Sequence, residues 1–337
     1  MNKITYLFGA GASANALPIV TGIPGRINNL IDLLRSPSLQ LSSVIFFDGL
    51  TKNKTKQEYQ LSLIEDLKWI LRESQKHSSI DTFAKKLTIK QMHSDLERLK
   101  RTLSIFFIFE QSQNPVDGRY DSFFASIIDS SHSFPDNIRI LSWNYDYQFE
   151  LAYSEYSGKK NISENQTKLN IHQKTVKNLG DNHGFRIYKL NGTTEIYNQI
   201  HYRQYNFIDE MSSEITIHLI EEIVRNYAGI LNSDDYHSTL SFSWETDAKD
   251  GKTFLENVSE DIIDTIILIV VGYSFPFFNR EIDRKIIGSM GQLNRVYFQA
   301  PDAENLKDRF KAIRNDFNEK DLIPIKDTGQ FFLPNEL

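Results

Sequence analysis

Hydrophobic positions along this chain follow two different periodicities. Six short apolar runs are nearly continuous, which is typical of strands buried in a parallel sheet. They span residues 4–8, 138–142, 185–190, 264–275, 295–299 and 322–325. Elsewhere apolar residues recur three and four positions apart, which predicts helices. Strands that alternate with helices toward both ends of the chain predict an α/β fold with a Rossmann-like, doubly wound and mostly parallel sheet.

Helical spacing dominates the region between the first two runs. A first helix is predicted from Pro24, a residue favoured in the first helical turn, to about Leu34. Residues 36–56 are polar and predicted irregular, and about 57–111 is predicted helical. Further helices are predicted at 120–128, 212–227, 279–290 and 303–314, and a loop or hairpin is predicted at 158–184.

The order of these elements predicts one domain over residues 1–337. Its Rossmann-like core is expected at about 1–35 and 131–337, with a helical insertion at about 36–130.

Composition narrows the classes of function. Hydrophobic residues make up 40% and charged residues 24%, as in soluble globular enzymes. A net charge of −6 argues against direct nucleic-acid binding, and no apolar run reaches the length of a membrane span. The absence of cysteine excludes disulfides and thiolate metal sites. We therefore expect a cytoplasmic protein that binds neither membrane nor nucleic acid directly.

The sequence YLFGAGAS joins the first strand to a glycine-rich loop, Gly9 to Ser13. Small side chains let main-chain N–H groups approach a diphosphate at a helix N-terminus. The loop has neither the lysine of a Walker A motif nor the third glycine of a dehydrogenase fingerprint. A tight turn that binds no ligand is the alternative interpretation.

Two later strands also end in polar or small residues. SWNYD places Asn144 and Asp146 after the second strand, although both residue types also cap helices. VVGYSF places Gly272 and Ser274 after the strongest strand, where an ordinary turn is the alternative. Because the carboxyl ends of parallel strands meet at one edge, we expect these loops, the glycine loop and residues 191–194 to face one crevice.

Taken in order, these motifs resemble a known family. GAGAS, Gly22-Ile23-Pro24, NYD, KLNG and GYSF are similar to the motifs of the sirtuin superfamily, and most similar to the sirtuin-like domains of bacterial anti-phage defence NADases, of the Thoeris and defence-associated sirtuin types. The resemblance extends from about residue 4 to 300. It implies a Rossmann-like domain that binds NAD+ as its substrate.

The resemblance also implies an activity. Enzymes of this kind are NAD+ glycohydrolases, which cleave the nicotinamide–ribose bond to nicotinamide and ADP-ribose and so deplete NAD+ during defence. Deacetylating sirtuins carry a zinc module of four cysteines, which this chain lacks, so neither zinc nor protein deacetylation is expected.

Residue roles follow from the same resemblance. Catalytic candidates are Asn144, which would position water or the ribose hydroxyls, Asp146, which would hold the nicotinamide, and Asn191, which would orient the ribose. The expected NAD+-binding residues are Ala10, Gly11, Ala12 and Ser13 at the diphosphate, Pro24 at the nicotinamide pocket, Asn144 and Asp146 at the nicotinamide riboside, and Gly272 and Ser274 at the adenosine.

One departure from the family concerns Asn191, which stands where the family has a histidine. An amide cannot act as a general base near neutral pH. Three explanations stay open: an inactivating substitution, a chain that binds NAD+ without cleaving it, or replacement by nearby His183, whose setting in DNHGF is more typical of a turn. The alternative functions are a non-catalytic sensor of NAD+ or ADP-ribose and a protein ADP-ribosyltransferase.

Partners are expected from the same family. We expect a homo-oligomer and, because the chain ends soon after its last predicted strand, a separately encoded defence partner such as a translocase-type ATPase or an Argonaute-like sensor.

Overall fold

The computed structural model describes residues 3–47, 54–174, 184–198, 203–205, 212–232, 236–245, 248–249 and 252–337. The helices in these ranges are α1 (Ile23–Leu34), α2 (Lys56–Lys76), α3 (Ile80–Ile89), α4 (His93–Gln113), α5 (Gly118–Ile127), α6 (Gln148–Ser157), α7 (Ile162–Lys168), α8 (Ile217–Asn232), α9 (Phe254–Asp261), α10 (Arg280–Ser289) and α11 (Ala303–Lys311). The strands are β1 (Ile4–Phe8), β2 (Ile138–Ser142), β3 (Ile171–Gln173), β4 (Arg186–Lys189), β5 (Ile196–Asn198), β6 (Arg203–Tyr205), β7 (Tyr236–Ser238), β8 (Ala248–Lys249), β9 (Lys252–Thr253), β10 (Ile267–Val271), β11 (Arg295–Gln299) and β12 (Leu322–Ile325).

A seven-stranded sheet forms the centre of the fold, in the order β12-β11-β10-β1-β2-β4-β3. Every neighbouring pair is parallel. The strand β1 lies between β2 and β10, so the chain builds the sheet outward from β1 in both directions. The predicted Rossmann-like, doubly wound class is confirmed. In such sheets, ligands bind beyond the carboxyl ends of the strands where the order reverses.

Both faces of this sheet are buried, which explains the continuous apolar runs. Along β1, Leu7 belongs to one hydrophobic core together with Leu141 and Val270. Its neighbours Tyr6 and Phe8 belong to a second core on the other side. Successive side chains of a strand point to opposite faces, so a strand covered on both faces is mostly apolar.

The described part of the chain forms two compact units. The sheet unit comprises Met1–Asn15, Val116–Gly192 and Ser241–Leu337, and it contains the seven-stranded sheet. The helical unit comprises Ala16–Pro115 and Thr193–Leu240. It contains α1 to α4, α8 and a small antiparallel sheet in the order β6-β5-β7.

Several elements differ from the sequence-based expectation. The region 158–184 contains α7 and β3 where a loop or hairpin was expected. The helix α7 is polar but capped, because the Asn161 side chain accepts a hydrogen bond from the N–H of Glu164 at 3.0 Å. The helix α8 begins and ends five residues later than expected, and α6 and α9 were not predicted.

Candidate functional site

The glycine loop, residues 9–13, is packed against the loop that follows β10. The N–H of Gly11 donates to the carbonyl of Gly272 at 2.9 Å. A Cβ atom added at Gly11 would lie 2.8 Å from Gly272 Cα, and one added at Gly9 would lie 2.6 Å from Tyr273 Cα. These distances are shorter than any side chain tolerates, so the packing of the two loops by itself requires glycine at both positions.

Gly272 is required by the same contact. Its φ of +59° is left-handed, and a Cβ atom there would lie 2.4 Å from the Ala12 nitrogen. The three glycines of these two loops, of which Gly11 and Gly272 are predicted site residues, therefore have a steric explanation that involves no ligand. The expected diphosphate site in this loop stays a prediction, and Ala10 is the exposed residue of the loop.

A buried cluster of four polar side chains joins the glycine loop to α5 and to the loop after β2. The Ser13 hydroxyl donates to Asp146 Oδ2 at 2.7 Å and accepts from Asn144 Nδ2 at 3.1 Å. It also lies 2.9 Å from the Tyr120 hydroxyl. Because the one hydrogen of Ser13 is directed to Asp146, Tyr120 is the donor in this last bond. Burial raises the pKa of Tyr120, and the charge of Asp146 raises it further.

Asp146 also has a role in local structure. Its Oδ1 accepts from the N–H of Gln148, the first residue of α6, at 3.2 Å. Asp146 therefore caps α6 with its Oδ1, as the alternative interpretation expects. Its Oδ2 accepts the hydrogen bond from Ser13. Both bonds leave the carboxylate fixed at the carboxyl end of β2.

The side-chain amides of Asn144 and Asn191 each direct their Nδ2 atom toward a main-chain carbonyl. Asn144 Nδ2 donates to the carbonyl of Gly9 at 3.0 Å, and Asn191 Nδ2 donates to the carbonyl of Trp143 at 2.9 Å. A carbonyl oxygen can only accept, so these bonds fix which amide atom is which. The Oδ1 atoms of both residues have no protein partner among the described residues, and each can accept a hydrogen bond from a ligand. His183 lies outside the described residues.

A fully buried ion pair supports the loop after β2. Lys189, the last residue of β4, donates to the main-chain oxygen of Asp146 at 2.5 Å and lies 3.3 Å from the Glu150 carboxylate. Neither charged side chain is exposed. Burial raises the pKa of Glu150, and the nearby Lys189 charge partly opposes that rise. The sequence signal that could have revealed the pair is a lysine inside the apolar run FRIYKL.

Arg119 is a second residue that the sequence analysis did not identify. Its Nη2 donates to the carbonyls of Ala12 at 2.9 Å and Gly11 at 3.3 Å, and its Nε donates to Asp117 at 3.0 Å. Burial raises the pKa of Asp117, but hydrogen bonds and the charge of Arg119 outweigh it, so the pKa is lowered overall. The available signal was the pair of opposite charges in VDGRY, directly after Pro115.

Two expected site residues do not take part in this network. Pro24 is the second residue of α1 and belongs to the helical unit. Ser274 is exposed, and its carbonyl accepts from Arg309 Nη1 at 2.7 Å. The roles assigned to both by resemblance stay predictions.

No group of three or more His, Asp or Glu side chains suited to a metal ion occurs in the described part of the chain. Within the same ranges, the structure contains no helix with the length and apolar character needed to cross a membrane.

The chain matches none of the models of known protein families and none of the curated protein sequences.

Proposed function

We propose that this chain binds NAD+ beyond the carboxyl ends of the seven-stranded sheet and cleaves its nicotinamide–ribose bond. The observation that carries the proposal is the cluster of Ser13, Asn144 and Asp146. It joins the glycine loop to the loop after β2, beside the reversal of strand order where ligands of such folds bind. The choice of NAD+ is supported by the resemblance of the motifs.

The chemistry required of these residues is electrostatic. Nicotinamide leaves as a neutral molecule and the ribose develops positive charge, which a fixed carboxylate stabilises. By resemblance Asp146 holds the nicotinamide, and its carboxylate, held in place by Ser13 and by the N–H of Gln148, would also stabilise the positive charge on the ribose. The Oδ1 atoms of Asn144 and Asn191 would accept hydrogen bonds from the ribose hydroxyls or from the attacking water.

A sensor that binds NAD+ or ADP-ribose without cleaving it is the second candidate. It is favoured by Asn191, because an amide does not titrate and its Nδ2 is already bonded to the main chain. Transfer of ADP-ribose to a protein would use the same bond cleavage and is distinguished by its product.

The cellular role proposed here rests on the family resemblance. In this role, the chain depletes NAD+ during anti-phage defence. It acts as a homo-oligomer together with a separately encoded partner, an ATPase or an Argonaute-like sensor. The partner would control when the chain acts on NAD+.

The test is an incubation of the purified chain with NAD+, in which nicotinamide and free ADP-ribose are measured by chromatography. Titration calorimetry with NAD+ and with ADP-ribose measures binding separately. Equal release of both products that is lost in Asn144→Ala supports the glycohydrolase. Binding without product supports the sensor, and nicotinamide release without free ADP-ribose supports the transferase. If neither nucleotide binds, the proposal is wrong.

A further inference from the structure

The segment 327–332, which follows β12, is fixed to the sheet by one side chain. Gln299 ends β11 and is 3% exposed. Its Nε2 donates to the carbonyls of Asp327 at 2.7 Å and Gln330 at 2.6 Å. Its Oε1 accepts from the N–H of Phe332 at 2.9 Å. Three hydrogen bonds to one buried amide fix the course of the segment.

Phe331 projects from this segment into the second hydrophobic core and is 4% exposed. Its ring centre lies 5.0 Å from those of Phe8 and Tyr120, in edge-to-face contacts. The guanidinium carbon of Arg119 lies 5.2 Å from the same ring, a distance suited to a cation–π contact. Arg119 Nη1 also donates to the carbonyl of Thr328 at 3.4 Å.

Arg119 and Tyr120 both bond the glycine loop. Arg119 binds the carbonyls of Gly11 and Ala12, and the Tyr120 hydroxyl binds Ser13. One ring therefore packs against two neighbouring side chains whose polar ends hold three successive residues of the loop. Packing restricts the rotamers of both side chains, and so it restricts the loop that they hold.

We propose that the segment 327–332 positions the glycine loop, with Phe331 holding Arg119 and Tyr120 where they bond it. Phe331, Arg119 and Tyr120 are positioning residues in this scheme. The effect on loop order stands on these contacts alone, whereas the effect on nucleotide affinity rests on the proposed function.

The test compares Phe331→Ala with Phe332→Ala. The centre of the Phe332 ring lies 4.6 Å from that of Tyr297, with the two rings tilted by 39°, and in the described residues it has no ring contact with Tyr120 or Arg119. Hydrogen exchange in the peptide that covers residues 9–13 is measured by mass spectrometry where both variants are fully folded, and ADP-ribose affinity is measured by calorimetry. Phe331→Ala should raise exchange and weaken affinity about tenfold, the effect of about one lost hydrogen bond, whereas Phe332→Ala should change neither by more than about twofold.

Equal exchange of residues 9–13 in the two variants would overturn the proposal. If Phe331→Ala does not fold, Arg119→Lys takes its place, because lysine keeps the charge beside Asp117 but lacks the fork that reaches the loop carbonyls. Unchanged exchange in that variant would overturn the proposal as well. If the parent chain binds neither NAD+ nor ADP-ribose, the proposed function fails, and the exchange comparison still decides the positioning role.

Discussion

Lys189 and Glu150 form an ion pair 3.3 Å long in which neither side chain is exposed to solvent. Lys189 also donates a hydrogen bond to the main-chain oxygen of Asp146, so the pair joins β4 and α6 to the loop that carries the proposed site. Burying two charges is costly, and such a pair is weak evidence for stability taken alone. Its connection to Asp146 suggests that the pair serves the geometry of the loop.

Replacing one member of this pair should lower the free energy of unfolding more than replacing both members. Lys189→Met leaves Glu150 buried and unpaired, and should lower the free energy of unfolding by about 3–5 kcal/mol. The double variant Lys189→Met/Glu150→Leu should recover most of that loss, because no charge stays buried. Urea denaturation of the single and double variants measures the coupling. Nucleotide affinity should stay reduced in the double variant, since the carbonyl of Asp146 still lacks its donor. An affinity equal to that of the parent would leave the pair with no role in the site.

Gly11→Ala should lower the stability of the protein, whereas alanine at Gly288 should not. The new Cβ atom would lie 2.8 Å from Gly272 Cα, so the two loops must separate, at a cost of about 1–3 kcal/mol and with loss of nucleotide binding. The control is Gly288→Ala in α10, where no atom lies within 4 Å of the added Cβ. Alanine there should stabilise by about 0.5–1 kcal/mol, because it favours the helix. Similar melting temperatures for the two variants would contradict the close packing of the glycine loop against the loop that follows β10.

Asn191→His should create or raise glycohydrolase activity. An imidazole can still donate one N–H to the carbonyl of Trp143, which Asn191 now bonds, and its other nitrogen can accept a proton. The gain should be about 10²- to 10⁴-fold, with a pH dependence near about 6.5 that the parent lacks. The rate of nicotinamide release is measured against pH, with Asn191→Gln as a control that does not titrate. A histidine variant that binds NAD+ but releases no nicotinamide would favour the sensor.

Asp283 should make the protein less stable as pH rises. It is 1% exposed and accepts from the Tyr273 hydroxyl at 2.9 Å, and burial raises its pKa to about 8. The folded state then keeps a proton that the unfolded state releases near its ordinary pKa of about 3.9. Linkage makes the stability contribution of this group complete below about pH 4 and lost progressively as pH rises to about 8.

Asp283→Asn should remove this dependence. Asparagine keeps an acceptor for Tyr273 and carries no charge, so the variant should be more stable than the parent at pH 8 by an amount on the order of a few kcal/mol. Denaturant midpoints between about pH 5 and 8 measure the slope. The exposed neighbour Glu281→Gln serves as the control and should leave the slope unchanged. A parental slope that persists in Asp283→Asn would show that other groups cause it.

The central strands could be predicted from sequence because their environment is uniform. A strand buried on both faces is mostly apolar, and β1, β2 and β11 have the predicted bounds. The polar α7 and the edge strand β3 could not be predicted in this way. Asn165 in α7 is buried because its amide bonds the main chain of Glu150 at 3.3 Å, a tertiary contact that no local pattern contains.

Some residues of the candidate site could likewise be predicted from the sequence, and others could not. Asn144 was found because it follows a strand, and carboxyl ends of parallel strands meet at one edge. Arg119 and Tyr120 reach the same loop from α5, and helix residues in that position have no strand-end signal. The glycines were found by motif, but their geometric reason, the approach of Gly272 to Gly11, exists only in the folded chain.

The place of β1 in the middle of the sheet has a consequence for the order of events during synthesis. It leaves the ribosome before the other strands of the sheet, yet one of its two partners is β10, and the side chains of Thr5 and Thr265 that bond at 2.7 Å are 260 positions apart. At ordinary rates of translation the apolar segment Ile4–Phe8 waits on the order of tens of seconds for that neighbour. The apolar segment Ile4–Phe8 therefore stays without one of its two partners during most of synthesis, and completion of the sheet is a late event set by the arrival of β10.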